Sequence, residues 1–133
     1  QGCIDGTVPY PPMADHLGME LIAVSDGHVE WRVSPPAWFL NPAGVVHGGF
    51  AMTVLDTAMA CAVDSARPAG RISTTLEAKI NLTRAILPDG GPLAAEGRLV
   101  TIGKRTGTAE GRITDTTGRV MAFASTTCLI GAP

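Results

Sequence analysis

Asp56 is the only charged side chain between His47 and Asp64, and it falls inside a run of Ala, Met, Val and Leu that reads as a helix. A carboxylate in such a place carries a desolvation cost, which favours its neutral form unless a donor or cation stabilises the charge. That makes Asp56 a candidate general base or nucleophile, against the alternative that it caps a neighbouring loop or meets water at the protein edge. Upstream, His47-Gly48-Gly49 marks the joint between a Pro/Gly loop and the helix. Glycines let the backbone approach a ligand closely, and a helix N-terminus offers unpaired N–H groups with partial positive charge, suited to a developing oxyanion. Read singly, the Gly-Gly pair is a turn, His47 a structural hydrogen-bonder and Asn41 before Pro42 an ordinary turn residue.

Spacing constrains how these groups could act together. Asp56 follows Gly48 by eight residues, which along one helix is about 12 Å. A reacting carbonyl must lie about 3 Å from both its attacking partner and its oxyanion donors. One helix cannot serve one carbonyl with both. If both act on one substrate, the acid comes from one subunit and the glycine from another, with two equivalent sites in a symmetric dimer.

The elements that must position these residues can be read in order. Pro9, Pro11 and Pro12 make residues 1–16 an extended lead-in, with one helical turn over Met13 to Leu17 ended by Gly18. Met19 to Val24 and His28 to Ser34 read as a hairpin around Ser25-Asp26-Gly27, and Pro35-Pro36 end the second strand. Trp38-Phe39-Leu40-Asn41-Pro42 is an apolar loop expected to lie against something. Gly49 to about Ala66 is apolar nearly all round, as in a helix covered on most sides. Phe50, Met52 and Met59 belong to it, as core by default or as lining of an apolar pocket.

Ile72 to Thr83 alternates strictly, which predicts Ile72, Thr74, Leu76, Ala78, Ile80 and Leu82 on one face and Ser73, Thr75, Glu77, Lys79, Asn81 and Thr83 on the other. Leu93 to Ile102, Thr106 to Thr114 and Arg119 to Ile130 follow as strands, separated by Gly103-Lys104 and Asp115-Thr116-Thr117-Gly118. In the third of these four runs, Gly107, Ala109, Gly111 and Ile113 share the face suited to close packing. Short turns predict that the last strands are antiparallel neighbours in sequence order. The architecture expected is α+β, one domain over residues 1–133, with a curved antiparallel sheet wrapped around one long central helix.

Composition narrows the function classes. Ten Lys and Arg against twelve Asp and Glu leave a formal charge of -2, with neither a basic stripe for nucleic acid nor an acidic tail. Cys3, Cys61 and Cys128 are odd in number and widely spaced, which argues against a disulfide framework or zinc knuckle and for a reducing, cytoplasmic setting. The lead-in has no signal-peptide pattern. The longest apolar run, Phe50 to Val63, falls short of the ~20 residues that span a bilayer, so no membrane partner is expected. His16, His28 and His47 lack metal-ligand spacing.

Taken together, Asn41-x-x-Gly44-x-x-His47-Gly48-Gly49, Asp56 and the order of elements resemble the hot-dog-fold acyl-CoA thioesterases, particularly the PaaI-type branch named for phenylacetate catabolism. Thr74-Thr75-Leu76-Glu77-Ala78-Lys79-Ile80-Asn81 is similar to the family's third strand, and Gly103-Lys104-Arg105 with Thr108-Ala109-Glu110-Gly111 to its fourth turn and fifth strand. The likeness covers Leu17 to Ile130. It implies hydrolysis of an aromatic or medium-chain acyl-CoA, with Asp56 as general base or nucleophile and the Gly48 N–H polarising the thioester carbonyl. It implies that His47 and Asn41 orient loop and thioester, and that Thr75 positions water near the acid. Thr75 is sensitive to register, because a one-residue slip reverses its face. Arg84, Lys104 and Arg105 are candidate contacts for the CoA phosphates, each equally readable as a solvated charge. CoA is part of the substrate, and no separate cofactor is implied. The family also implies a homodimer at minimum and a homotetramer built from two dimers. Where the branch often has Arg-Pro, this chain has Arg84-Ala85. An acyl-CoA-binding sensor and an enoyl-thioester hydratase are the competing readings on the same fold.

Overall fold

The structure, a computed structural model, describes residues 2–132. A short helix α1 (Pro12–His16) precedes the strands β1 (Glu20–Ser25) and β2 (His28–Val33). The long helix α2 (Gly48–Ala66) follows, then β3 (Ile72–Leu82), β4 (Leu93–Ile102), β5 (Thr106–Thr114) and β6 (Val120–Gly131). All six strands form one antiparallel sheet, and α2 packs across one face of it against every strand. This is the hot-dog arrangement expected from the sequence.

The helix seats deeply because the sheet beneath it lacks side chains where it crosses. A Cβ on Gly97 of β4 would lie 2.1 Å from the Ala58 carbonyl oxygen, and one on Gly107 of β5 would lie 2.7 Å from Val63. Glycine at these positions lets the helix approach the strands more closely than any side chain would allow. Phe50, Val54, Leu55, Ala58, Met59, Ala62 and Val63 fill the remaining space and are fully buried. Phe50 and Met59 are therefore core. Met52 points away from it and is half exposed. In the preceding loop Phe39 packs on Phe50, with ring centroids 5.7 Å apart, while Trp38 stays exposed.

Two expectations are corrected. The strand order is β1-β2-β4-β5-β6-β3, so β4, β5 and β6 are sequence neighbours but β3 is not beside β4. The chain leaves α2 at one edge, lays down β3 against β6, and crosses back so that β4 pairs with β2. Among the last four strands, short turns govern adjacency only from β4 onward, because the 83–92 connection is long enough to cross the sheet.

The second correction concerns the faces of β3. Its pairing with β6 shifts between Thr75 and Glu77, where Leu76 is an extra residue, a β-bulge. Opposite it, the inward residues of β6 are Ala122, Ala124, Thr126, Cys128 and Ile130, all buried. Their partners on β3 are Leu82, Ile80, Ala78, Thr75 and Ser73. The helix-facing set is thus even-numbered after the bulge and odd-numbered before it. Ile72, Thr74 and Leu76 do not share the inner face with Ala78, Ile80 and Leu82, and Leu76 is 58% exposed.

Candidate active site

His47 is the N-cap of α2, with φ −59° and ψ 136°, and its Nδ1 accepts a hydrogen bond from Gly49 N–H at 2.8 Å. Because Nδ1 accepts, the ring proton of this neutral tautomer sits on Nε2, leaving Nε2–H as a donor. Phe50 N–H is taken by the His47 carbonyl. Among the described residues Gly48 N–H has no acceptor, so the first helical residue presents an unpaired donor at the positive end of a 19-residue helix. Leu82 of β3 lies against it, 2.6 Å from where a Gly48 Cβ would be.

Asn41 holds the preceding loop. Its Oδ1 accepts from Ala43 N–H at 2.9 Å and Val45 N–H at 3.3 Å, while its main chain pairs with Gly44 and Val45. Gly44 takes φ +77°, the left-handed turn that lets the chain double back. Asn41, His47, Gly48, Ala51, Leu82 and Arg84 line one groove of about 290 Å³.

Asp56 lies two turns further along α2, half-buried on its β3 side. Thr75 Oγ1 donates to its Oδ1 at 2.8 Å, across 19 residues of sequence. The other carboxylate oxygen has no partner among the described residues. The hydroxyl that the alternation set on the polar face therefore faces the helix, and the bulge at Leu76 is what turns it there. Behind it, Cys128 pairs with Thr75 across the sheet and is wholly buried, with burial pushing its thiol up. Ser73, the next inward residue, donates to Asp64 at 2.8 Å.

The candidate residues thus fall into two groups within one chain. Asn41, His47, Gly48 and Arg84 gather at the N-terminal end of α2; Asp56 and Thr75 form a separate pair along its side. Arg84 follows the end of β3, whereas Lys104 and Arg105 sit exposed on the β4–β5 turn, where the Arg105 carbonyl accepts from Ile130 N–H. That turn is next to the start of β3, at the opposite end of the sheet from Arg84. Among the described residues no group of three or more His, Cys, Asp or Glu is placed to hold a metal ion, and no helix is long and apolar enough to cross a membrane. Thr126, a wholly buried polar side chain on β6, went unremarked in the sequence. A threonine in an alternating strand carries no mark of its facing partner.

Residues 43–122, which hold the helix, Asp56 and the strands β3 to β5, match the family model of the thioesterase superfamily. The chain belongs to that superfamily. Over 99 residues it is 33% identical to a protein of Halobacterium salinarum described only as a candidate esterase, a match that spans 71% of this chain and 64% of that relative's length. The structure is similar, with a TM-score of 0.87 and 28% identity, to a candidate thioesterase of Ralstonia eutropha JMP134 described as a phenylacetic acid degradation-related protein; 96% of each chain is covered. A Streptococcus mutans protein bound to acetyl CoA shares the fold at a TM-score of 0.79 and 24% identity, over 86% of this chain and 89% of that one.

Proposed function

We propose that this thioesterase-superfamily chain hydrolyses an acyl-CoA thioester in a site shared between two copies. The observation that carries the proposal is the separation of a free Gly48 N–H at the head of α2 from an Asp56 carboxylate oriented by Thr75 two turns away. Water attacks the thioester carbonyl carbon while Asp56 takes its proton, and Gly48 N–H stabilises the oxyanion that forms. Collapse of the intermediate breaks the C–S bond, and CoA leaves as the thiol with the proton returned to sulfur. Thr75 occupies one carboxylate oxygen, which leaves the other for the water. An alternative in which Asp56 attacks directly uses the same atoms and ends in the same products.

Support for the shared site comes from the free edge of the sheet. β3 is an 11-residue edge strand with Ile72, Leu76 and Leu82 exposed, and Met52 of α2 is exposed as well. Such an edge is a template for strand pairing. Antiparallel pairing of β3 with a second β3 about a two-fold axis at the strand's centre, Glu77, sets Leu82 of the partner subunit opposite Ile72. Gly48 packs on Leu82, so the same operation carries the partner's Gly48 toward Thr75 and Asp56. It also brings Lys104 and Arg105 toward the partner's Arg84, making a cationic mouth suited to the CoA phosphates. The CoA ester class is supported by the acetyl CoA bound to the Streptococcus mutans relative. A further pairing of dimers into a tetramer is part of the same proposal.

The test combines turnover with complementation. Release of free thiol is measured over a panel of aromatic and medium-chain acyl-CoAs. Asp56→Asn and Gly48→Pro chains, each expected to keep about a hundredth of wild-type turnover or less, are then unfolded, mixed equally and refolded together. Half the dimers are mixed, and each has one intact site, so about a quarter of wild-type activity returns. No recovery would place both groups in one protomer, and ligand binding without thiol release would make the protein an acyl-CoA binder instead.

A further inference from the structure

We propose that Thr126 is a positioning residue for the Asp56–Thr75 pair, acting by pinning the bulge in β3. This inference rests on the reading of Asp56 as the group that activates water. Thr126 sits on the helix-facing side of β6 with no exposed surface. A hydroxyl on that face is costly unless it finds a partner, and every other inward residue of β6 is apolar or a cysteine. Its Oγ1 donates to the Glu77 main-chain carbonyl at 2.7 Å. Glu77 is the residue at which the β3–β6 register resumes after the extra Leu76. The hydrogen bond therefore ties the β6 core face to the backbone carbonyl at the bulge.

The bulge decides whether Thr75 reaches Asp56. Without it, unbroken alternation from Ala78 backward puts Leu76, Thr74 and Ile72 inward and turns Thr75 to the outer face. That alternative register has its own attraction, because it turns the side chain of Leu76, which the bulged strand leaves 58% exposed, toward the helix-facing side. Hydrophobic burial thus opposes the register that the site needs. Something fixed in the core must favour the bulge, and Thr126 is the buried side chain bonded to it. The chain of contacts runs from Thr126 to Glu77, through the extra residue Leu76, to Thr75 and the Asp56 carboxylate. Thr126 touches neither Asp56 nor substrate on this account; its effect passes through the backbone.

The experiment removes the hydroxyl without changing the shape. Thr126→Val, Thr126→Ser, Thr75→Val and the double Thr126→Val/Thr75→Val variant are compared with the unmodified protein, with Thr126→Ala in parallel should the valine variant fail to melt cooperatively. Thr126→Val is expected to lower kcat for thiol release about tenfold with KM within about twofold, and Thr126→Ser to restore it. The double variant is expected to be no slower than Thr75→Val alone, because both act through one hydroxyl. Separately, the backbone and methyl resonances of Thr75 move in Thr126→Val and return in Thr126→Ser. Unchanged kcat together with unmoved Thr75 resonances, or a fully additive double variant, would overturn the proposal. If the unmodified protein releases no thiol, the hydrolase reading fails on that result. The Thr75 resonances then decide by themselves whether Thr126 pins the bulge.

Discussion

The first turn of α2 and its third turn hold the two proposed halves of the site but are made in different ways. At the first turn the proposed oxyanion donor is the Gly48 main-chain N–H, left open because a helix has no internal acceptor for it and ordered by the His47 cap immediately before it. At the third turn the proposed base is the Asp56 carboxylate, whose orientation comes from Thr75, a residue 19 positions on, delivered by an irregular strand. One half of the site is local and the other is tertiary. The local half should tolerate changes in the sheet, and the tertiary half should fail when the sheet is altered far from Asp56.

The largest effect should come from the carboxylate itself. Asp56→Asn keeps shape and the Thr75 contact while removing the base, and kcat for thiol release is expected to fall about a thousandfold with ligand affinity largely kept. Parallel titration calorimetry with a CoA ester checks the affinity. A smaller loss, about a hundredfold in kcat, is expected for Gly48→Pro, which deletes the N–H and little else. Proline is well tolerated at the first helical position, and His47 at ψ 136° already has the extended conformation required before proline. The ring has to displace the flexible tip of Leu82, so a circular dichroism melt accompanies the kinetics. Near-normal turnover in this variant would dissolve the contrast between the two turns.

The smallest effect sharpens the contrast from the opposite face of the same helix. Cys61 points toward β1 and β2, where burial, helped by Asp64, pushes its thiol from 9.0 up to about 11. The folded state therefore favours the neutral thiol. This contribution is fully present below pH 9, where both states hold the proton, and is lost as pH rises from 9 towards 11. Urea melts between pH 8 and 11 should show that decline in the unmodified protein and a shallower one in Cys61→Ala, with slow alkylation of Cys61 at pH 8.

Much of the candidate site was legible because its pieces are local. The Asn41 loop, the His47-Gly48-Gly49 joint and the apolar helix each depend on neighbours within a few residues, and composition alone marks them. The helix-facing glycines of β5 were legible too, since that strand alternates without interruption over Gly107, Ala109, Gly111 and Ile113. β3 misled because its residue pattern is regular while its backbone is not. An extra residue at Leu76 reverses the faces on either side of it, and no residue type announces a bulge when the inserted side chain is itself a leucine.

By itself the sequence determined the α+β class, the single long helix, its start at the glycine joint and the presence of an isolated acid too far along that helix to share a carbonyl with Gly48. These follow from periodicity, turn chemistry and a fixed rise per residue, which act over short distances along the chain. Only the tertiary structure decided that β3 lies at the sheet edge, that β4 crosses back to β2, and that Thr75 rather than Thr74 meets Asp56. Those outcomes depend on which strand finds which partner and in what register. Contacts such as Thr126 to Glu77, 49 residues apart, exist only once the sheet has closed around the helix.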